Sequence, residues 1–242
     1  MRRRAAEWTP AVHDLLAHLR RVGFDAAPEP LGLDEQGRAV LRFIDGVAHP
    51  GWPDPMPSWM YEDETTLAAA ARLLRRYHDA VATFVPPADA RWNIVAPGAH
   101  ELICHNDWAP YNALFRGREP IVMLDWDSAG PGTRLWDVAL AAYQWVPMCP
   151  MSEPSAHRFV LPPADRRARL ALFCAAYGEI AAADALAILI EHLPFLADHI
   201  QRKADGGDPG FAKLAGWNVP GRLRDEARLL RAERAQLVDE GV

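Results

Sequence analysis

Two polar clusters, each closing an apolar run, constrain this chain more than any other feature. The first is Leu102-Ile103-Cys104-His105-Asn106-Asp107-Trp108-Ala109-Pro110-Tyr111-Asn112, with the spacing H-x-D-x-x-x-x-N. The second is Ile121-Val122-Met123-Leu124-Asp125-Trp126-Asp127, an apolar strand that ends on two acids. Ala113 to Phe115 and the polar turn Arg116-Gly117-Arg118-Glu119 lie between them. A hairpin with Asn112 at the start of one strand and Asp125 at the end of the other brings both side chains to one edge, near the loop that holds Asp107.

Those residues fill the roles that phosphoryl transfer needs. The reaction asks a protein to hold nucleophile, phosphates and magnesium in line while negative charge is neutralised. Asp107 is placed to orient a substrate hydroxyl and take its proton. Asn112 and Asp125 are oxygen ligands suited to magnesium, a hard cation bound through few protein groups plus phosphate oxygens. His105 is expected to hold the loop by hydrogen bonds. A hydrolase metal cluster of His105, Asp107, Asp125 and Asp127 would need more histidine than the neighbourhood offers, since only His100 is near.

His105-Asn106-Asp107 with Pro110 and Asn112 resembles the catalytic loop of the aminoglycoside phosphotransferase and choline kinase superfamily. Leu124-Asp125-Trp126-Asp127-Ser128-Ala129-Gly130 resembles that family's metal-binding segment, and Trp136-Asp137-Val138-Ala139 the helix start that follows it. The resemblance implies an α+β, protein-kinase-like fold with a small, reduced N-terminal lobe (residues 1–48) and a larger, mostly helical catalytic lobe (residues 49–242). It implies Asp107 as catalytic base, with His105 beside it in the catalytic loop, and Asn112 and Asp125 as ligands for Mg2+ and the nucleotide. It also implies Asp137 as a structural tie between its helix and the catalytic loop. The phosphate donor would be ATP or GTP and the acceptor a hydroxyl of a small molecule such as an antibiotic, amino-alcohol or sugar. Trp108, Trp126 and Asp127 flank the catalytic acids and are expected to line a cleft for a cationic substrate. The alternative is a kinase-derived binding or immunity protein that sequesters a small molecule or peptide.

The chain departs from that pattern at its start. Kinases of this fold carry a phosphate-covering loop and a phosphate-binding lysine before the first helix, and a glutamate on the helix. Here no lysine precedes Lys203, no glycine-rich loop precedes Thr9, and the helix offers Val12 and His13 instead of an acid. Of 26 basic residues only Lys203 and Lys213 are lysine, so 26 − 2 = 24 are arginine. Arg2, Arg3, Arg4 or Arg42 are the cations within reach of the phosphates. Three accounts stand: arginine replaces lysine in a minimal kinase, the N-terminal lobe is truncated, or the chain is a binding protein.

The remaining pattern supports a mostly helical protein. Val12, Leu15, Leu16 and Leu19 predict a helix from a Thr9 cap, with Pro10 in its first turn, to Gly23. Leu31–Leu33 and Ala39–Ile44 flank a polar turn and predict a hairpin. His49 to Ser58 is too rich in proline for a regular element. Asp63 is placed to cap a helix with Leu67, Ala70, Ala71, Leu74, Tyr77, His78 and Val81 on its apolar line. His78 reads as a hydrogen-bonded structural residue. Further helices are predicted over Ala164–Ala182, Ala185–Lys203 and Gly221–Glu240, broken at Asp205-Gly206-Gly207-Asp208-Pro209. Cys104, Cys149 and Cys174 are odd in number and widely spaced, which fits neither a disulfide framework nor a zinc site. A formal net charge of −6 with no basic stripe argues against a nucleic-acid partner. No run approaches the roughly 18 apolar residues of a membrane helix, so neither a membrane partner nor a location outside the cytoplasm is expected.

Overall fold

The computed structural model describes residues 1–49, 56–148 and 161–238. Cys149 and most of the proline-rich connector lie outside them. Strand β1 (Arg2–Arg4) leads into helix α1 (Thr9–Arg21), followed by β2 (Pro30–Leu33), β3 (Arg38–Leu41) and β4 (Val47–Ala48). These strands form an antiparallel sheet in the order β1-β3-β2, with β4 outside it. Val12, Leu15, Leu16 and Leu19 are all buried, as their spacing requires. Thr9 falls inside the first turn rather than capping it, and its hydroxyl accepts the Ala6 amide instead. Past the helix end the chain turns at Gly23, whose φ of +83° suits a residue without a Cβ.

The larger part opens with α2 (Trp59–Glu62) and α3 (Glu64–Val81). Asp63 caps α3 as its position predicts, accepting the amides of Thr65 at 2.8 Å and Thr66 at 3.4 Å. Strands β5 (Leu102–Cys104), β6 (Ala113–Arg116), β7 (Glu119–Met123) and β8 (Gly130–Gly132) follow, then α4 (Arg134–Trp145). The β6–β7 hairpin closes through Arg116 opposite Glu119, and β5 pairs antiparallel with β8. Four further helices complete the chain: α5 (Pro163–Tyr177), α6 (Ala182–Asp205), α7 (Pro209–Gly216) and α8 (Val219–Leu237). The break expected at 205–209 separates α6 from α7, while α7 itself, being one short turn-rich helix, carries no periodic signal. The result is a mixed α/β, kinase-like fold whose helical part is the larger.

Three features fix the site region to the rest. Strand β4, at the end of the small N-terminal part, pairs with β6, so Val47 faces Phe115 and Ala48 faces Leu114. The Met123 amide donates to the Ala26 carbonyl at 2.9 Å, a second bond between the two parts. At the other end of the hairpin, Gly130 lies so close to the Ile94 carbonyl that a Cβ there would sit 1.8 Å from its oxygen. Gly130 cannot move away without disturbing its pairing with Cys104 in the β5–β8 ladder. Gly130→Ala therefore costs about 2–3 kcal/mol or more. Gly216→Ala, whose Cβ would meet nothing within 4 Å, leaves the melting midpoint unchanged or slightly raised. Thermal unfolding of both variants checks this.

Candidate active site

The site is assembled on one buried carboxylate. Asp137, in the first turn of α4, accepts the backbone amides of His105 at 2.7 Å and Asn106 at 2.9 Å, so it receives the start of the catalytic loop on both oxygens. His78 on α3 adds a third bond, Nε2 to Asp137 Oδ2 at 2.9 Å, and its Nδ1 meets the Tyr177 hydroxyl of α5 at 2.8 Å. Burial works against the charge of Asp137. The hydrogen bond from His78, the two nearby imidazoles and the loop amide outweigh it and hold the carboxyl below its ordinary range. Asp137 thus joins the start of the loop to α4, with His78 bringing in α3.

His105 is fully buried, and burial lowers its pKa despite the charges of Asp137 and Asp125. Its bonds define one neutral tautomer: Nε2–H donates to the Leu124 carbonyl at 3.0 Å, and Nδ1 accepts the Asp107 amide at 3.2 Å. That arrangement leaves the ring no proton to exchange with a substrate. His105 has both ring nitrogens engaged in hydrogen bonds within the protein. It links the catalytic loop to the strand end carrying Asp125.

Asp107 is half-buried and receives two hydrogen bonds, from Tyr111 Oη to Oδ1 at 3.1 Å and from Asn112 Nδ2 to Oδ2 at 2.8 Å. Burial first and the Asp125 charge second push its pKa up to about 7, against those two bonds. A base poised near neutrality is what proton transfer from an alcohol favours. Asn112 also donates to the Asp107 carbonyl at 2.9 Å, so its Nδ2 is spent on the loop and its Oδ1 is left as the acceptor. The hairpin closes as predicted: the Leu124 amide donates to the Asn112 carbonyl at 2.8 Å, which puts Asn112 and Asp125 at the same edge. Asp125 itself adopts φ +53°, ψ +73°, and Asn106 φ +61°, left-handed conformations that Asp and Asn tolerate better than most residues.

Asn112, Asp125, Trp126 and Asp127 border a cavity of about 510 Å³ that runs under the N-terminal sheet. Its far wall is apolar: Val12 and Leu16 of α1, Ala39 and Leu41 of β3, Phe43, Ile44 and Leu114. The oxygen set of Asn112, Asp125 and Asp127 suits a hard divalent cation completed by ligand oxygens. Among the described residues no group of three His, Cys, Asp or Glu side chains forms a metal cluster.

Of the two tryptophans expected at the cleft, Trp126 lines the cavity and Trp108 does not. Trp108 is fully buried, donates to the Ala70 carbonyl at 3.1 Å and packs against Trp145, so it is a core residue and not a cleft wall. Its apolar neighbours in sequence had concealed nothing; a tryptophan beside an acid simply has two ways to face. Trp126 is nearly as buried, bonded to the Met123 carbonyl and packed on Tyr77 and His105, and reaches only the floor of the cavity. Asp127 faces the cavity but is paired with Arg3. One residue escaped the sequence reading, and one of several candidates was singled out by the structure. Tyr111 bonds the base, a contact that only the short helical turn at Pro110–Asn112 creates. Arg3, one of four arginines considered, pairs with both Asp125 and Asp127.

Because the Asp107 carboxyl is raised in the folded state, ionising it costs folding free energy: the stability it contributes is present below the unfolded value and is lost as pH rises toward 7. Asp107→Asn removes that cost while keeping the shape. It is expected to be more stable than wild type at pH 8 by roughly 1–2 kcal/mol, allowing for partial exposure, with the gain vanishing near pH 4. Asp137→Asn, which leaves three donors facing a weakened acceptor, loses about 3 kcal/mol at pH 8. Denaturant unfolding of both variants at the two pH values tests the pair.

Comparison with known proteins agrees with this geometry. The chain is similar to a trifolitoxin immunity protein of Rhizobium leguminosarum bv. trifolii, 36% identical over 152 residues, which cover 60% of this chain and 54% of that protein. The match therefore spans about half the length of the relative. A family model described as "Phosphotransferase enzyme family" matches residues 3–182, a span that holds β1, the catalytic loop, the β6–β7 hairpin and α4. With the match covering residues 3–182, which include Asp107, Asn112, Asp125 and Asp137, the chain belongs to the phosphotransferase enzyme family.

Proposed function

We propose that this protein transfers the γ-phosphoryl group of a nucleoside triphosphate, ATP or GTP, to a hydroxyl group of a small molecule. The observation that carries the reading is the Asp107 carboxylate, held by Tyr111 and Asn112 at one edge with Asp125 and raised toward neutrality. The apolar cavity beside it has the size and wall chemistry for a nucleobase and ribose, and it opens onto the oxygen ligands at one end. Asn112 Oδ1 and Asp125 would hold magnesium, which when bound supplies charge neutralisation for the phosphates. Asp107 would orient the acceptor hydroxyl and remove its proton as the oxygen attacks phosphorus. His105 and Asp137 keep that carboxylate in place and touch neither substrate.

The acceptor is a hydroxylated small molecule, and a positive charge on it would meet fewer of the groups the sequence placed beside the acids. Trp108 lies in the core and Asp127 is paired with an arginine, so two of the three groups expected to attract a cation are otherwise engaged.

A second reading draws support from the relative's name: a protein that binds a toxic small molecule or peptide and sequesters it, with little or no turnover. One experiment separates the two. Nucleotide consumption and product mass are followed across a panel of hydroxylated compounds, beside a binding measurement on the same panel. Phosphorylated product from any member, lost by on the order of 10²–10⁴-fold in Asp107→Asn, supports the transferase. Tight binding with no mass increase supports sequestration. For the transferase, kcat/KM should fall as pH drops through about 7, or somewhat lower where bound magnesium favours the ionised base. A profile flat from pH 5 to 8 would remove Asp107 from the mechanism.

A further inference from the structure

Strand β1 reads Arg2-Arg3-Arg4, and the pleat sends the middle side chain to the face opposite its neighbours. Arg2 and Arg4 are exposed, and Arg2 lies 3.3 Å from Asp34. Arg3, opposite the buried Ala39 of β3, enters the cavity and is only 23% exposed. Its Nη1 lies 3.3 Å from Asp125 Oδ1, and its Nη2 pairs with Asp127. One planar guanidinium thus bridges two carboxylates that stand two residues apart at the end of β7.

Among the described residues lining the cavity, no acid other than Asp125 and Asp127 faces that arginine. The nearest titratable group on α1 is His13, whose imidazole is held below its ordinary value by burial, with Asp14 opposing and Arg3 itself contributing. A neutral ring cannot neutralise a guanidinium. Nor does another cation compete for the acids: Arg42, the second basic side chain lining the cavity, is bonded to Glu29 at 2.6 Å. The oxygens that Arg3 occupies are those a divalent cation at this edge would need.

We propose that Arg3 is a built-in counter-cation of the site: it holds Asp125 and Asp127 while no metal is present, yields them when a magnesium–nucleotide enters, and then pairs with the nucleotide's phosphate oxygens. The inference rests on the reading of this cavity as a magnesium–nucleotide site. The exchange is balanced in charge. The two carboxylates trade a guanidinium for a divalent ion, and the released fork meets phosphate oxygens whose geometry it matches. It also makes one side chain both a competitor of the metal and a ligand of the nucleotide, so removing it should move the two affinities in opposite directions.

The test uses the whole chain as wild type, Arg3→Gln and Arg3→Lys. Manganese alone is titrated by electron paramagnetic resonance, and magnesium–ATP and magnesium–GTP by calorimetry, with circular dichroism and melting curves to establish that each variant is folded. Arg3→Gln is expected to bind manganese alone several-fold more tightly than wild type and magnesium–nucleotide at least about tenfold more weakly, the usual size of a charge-assisted contact. Arg3→Lys should recover part of the nucleotide affinity. A folded Arg3→Gln that matches wild type in both titrations, or that weakens both, overturns the proposal. Wild type that binds neither manganese nor magnesium–nucleotide overturns the magnesium–nucleotide reading itself, and the proposal with it.

Discussion

The site depends on the ion-assisted knot at Asp137. A carboxylate at 1% exposure is unfavourable unless its lone pairs are met, and here three donors from two elements meet them: two adjacent loop amides and the imidazole of α3. Each of the two brings a different part of the fold. The amides carry the catalytic loop, His78 carries α3, and through Tyr177 the chain of bonds continues to α5. Desolvation makes every one of these bonds strong and every missing one costly. The loop therefore cannot drift relative to α4 without leaving a buried charge partly unmet.

From that fixed point the chemistry is placed by a short relay of polar contacts. His105 ties the loop to the Leu124 carbonyl, immediately before Asp125, while Asn112 ties its own strand start back to Asp107. Asp107, Asn112 and the acidic turn at Asp125 are thus held in place by these bonds. What stays available is one carboxylate near neutrality, one amide oxygen and two acids facing an arginine. Under the proposed transferase reading, this division of labour lets a histidine sit within the motif without taking the proton.

Much of this could be read from spacing alone, because the decisive contacts are local. The β6–β7 hairpin, with Asn112 and Asp125 at one edge, follows from turn position and strand alternation, and the cap at Asp63 from its place before an apolar stripe. The helices of the C-terminal part appear within a few residues of their periodic runs. Long-range choices were not readable. Trp108 turned inward because Ala70 and Trp145, 38 and 37 positions away, supply a carbonyl and a ring, and no local pattern announces them. Arg3 reached the acids because β1 joined β3, a pairing of a three-residue strand whose arginines carry no hydrophobic signal. Thr9 lost its cap role to a turn that starts one residue earlier, a shift within the ordinary uncertainty of helix ends.

The left-handed backbone at Asp125 restricts what can ever stand there. A φ of +53° admits aspartate, asparagine and glycine readily and penalises nearly every other side chain by roughly 1–2 kcal/mol. Two of those three tolerated residues dismantle the chemistry, glycine by removing the oxygen and asparagine by removing the charge. The turn and the acid are therefore a single selectable unit: a drifting sequence can abandon the anion cheaply but cannot exchange it for glutamate without reshaping the peptide. Comparing asparagine with alanine at this position separates electrostatics from conformation, since only the former leaves the bend undisturbed.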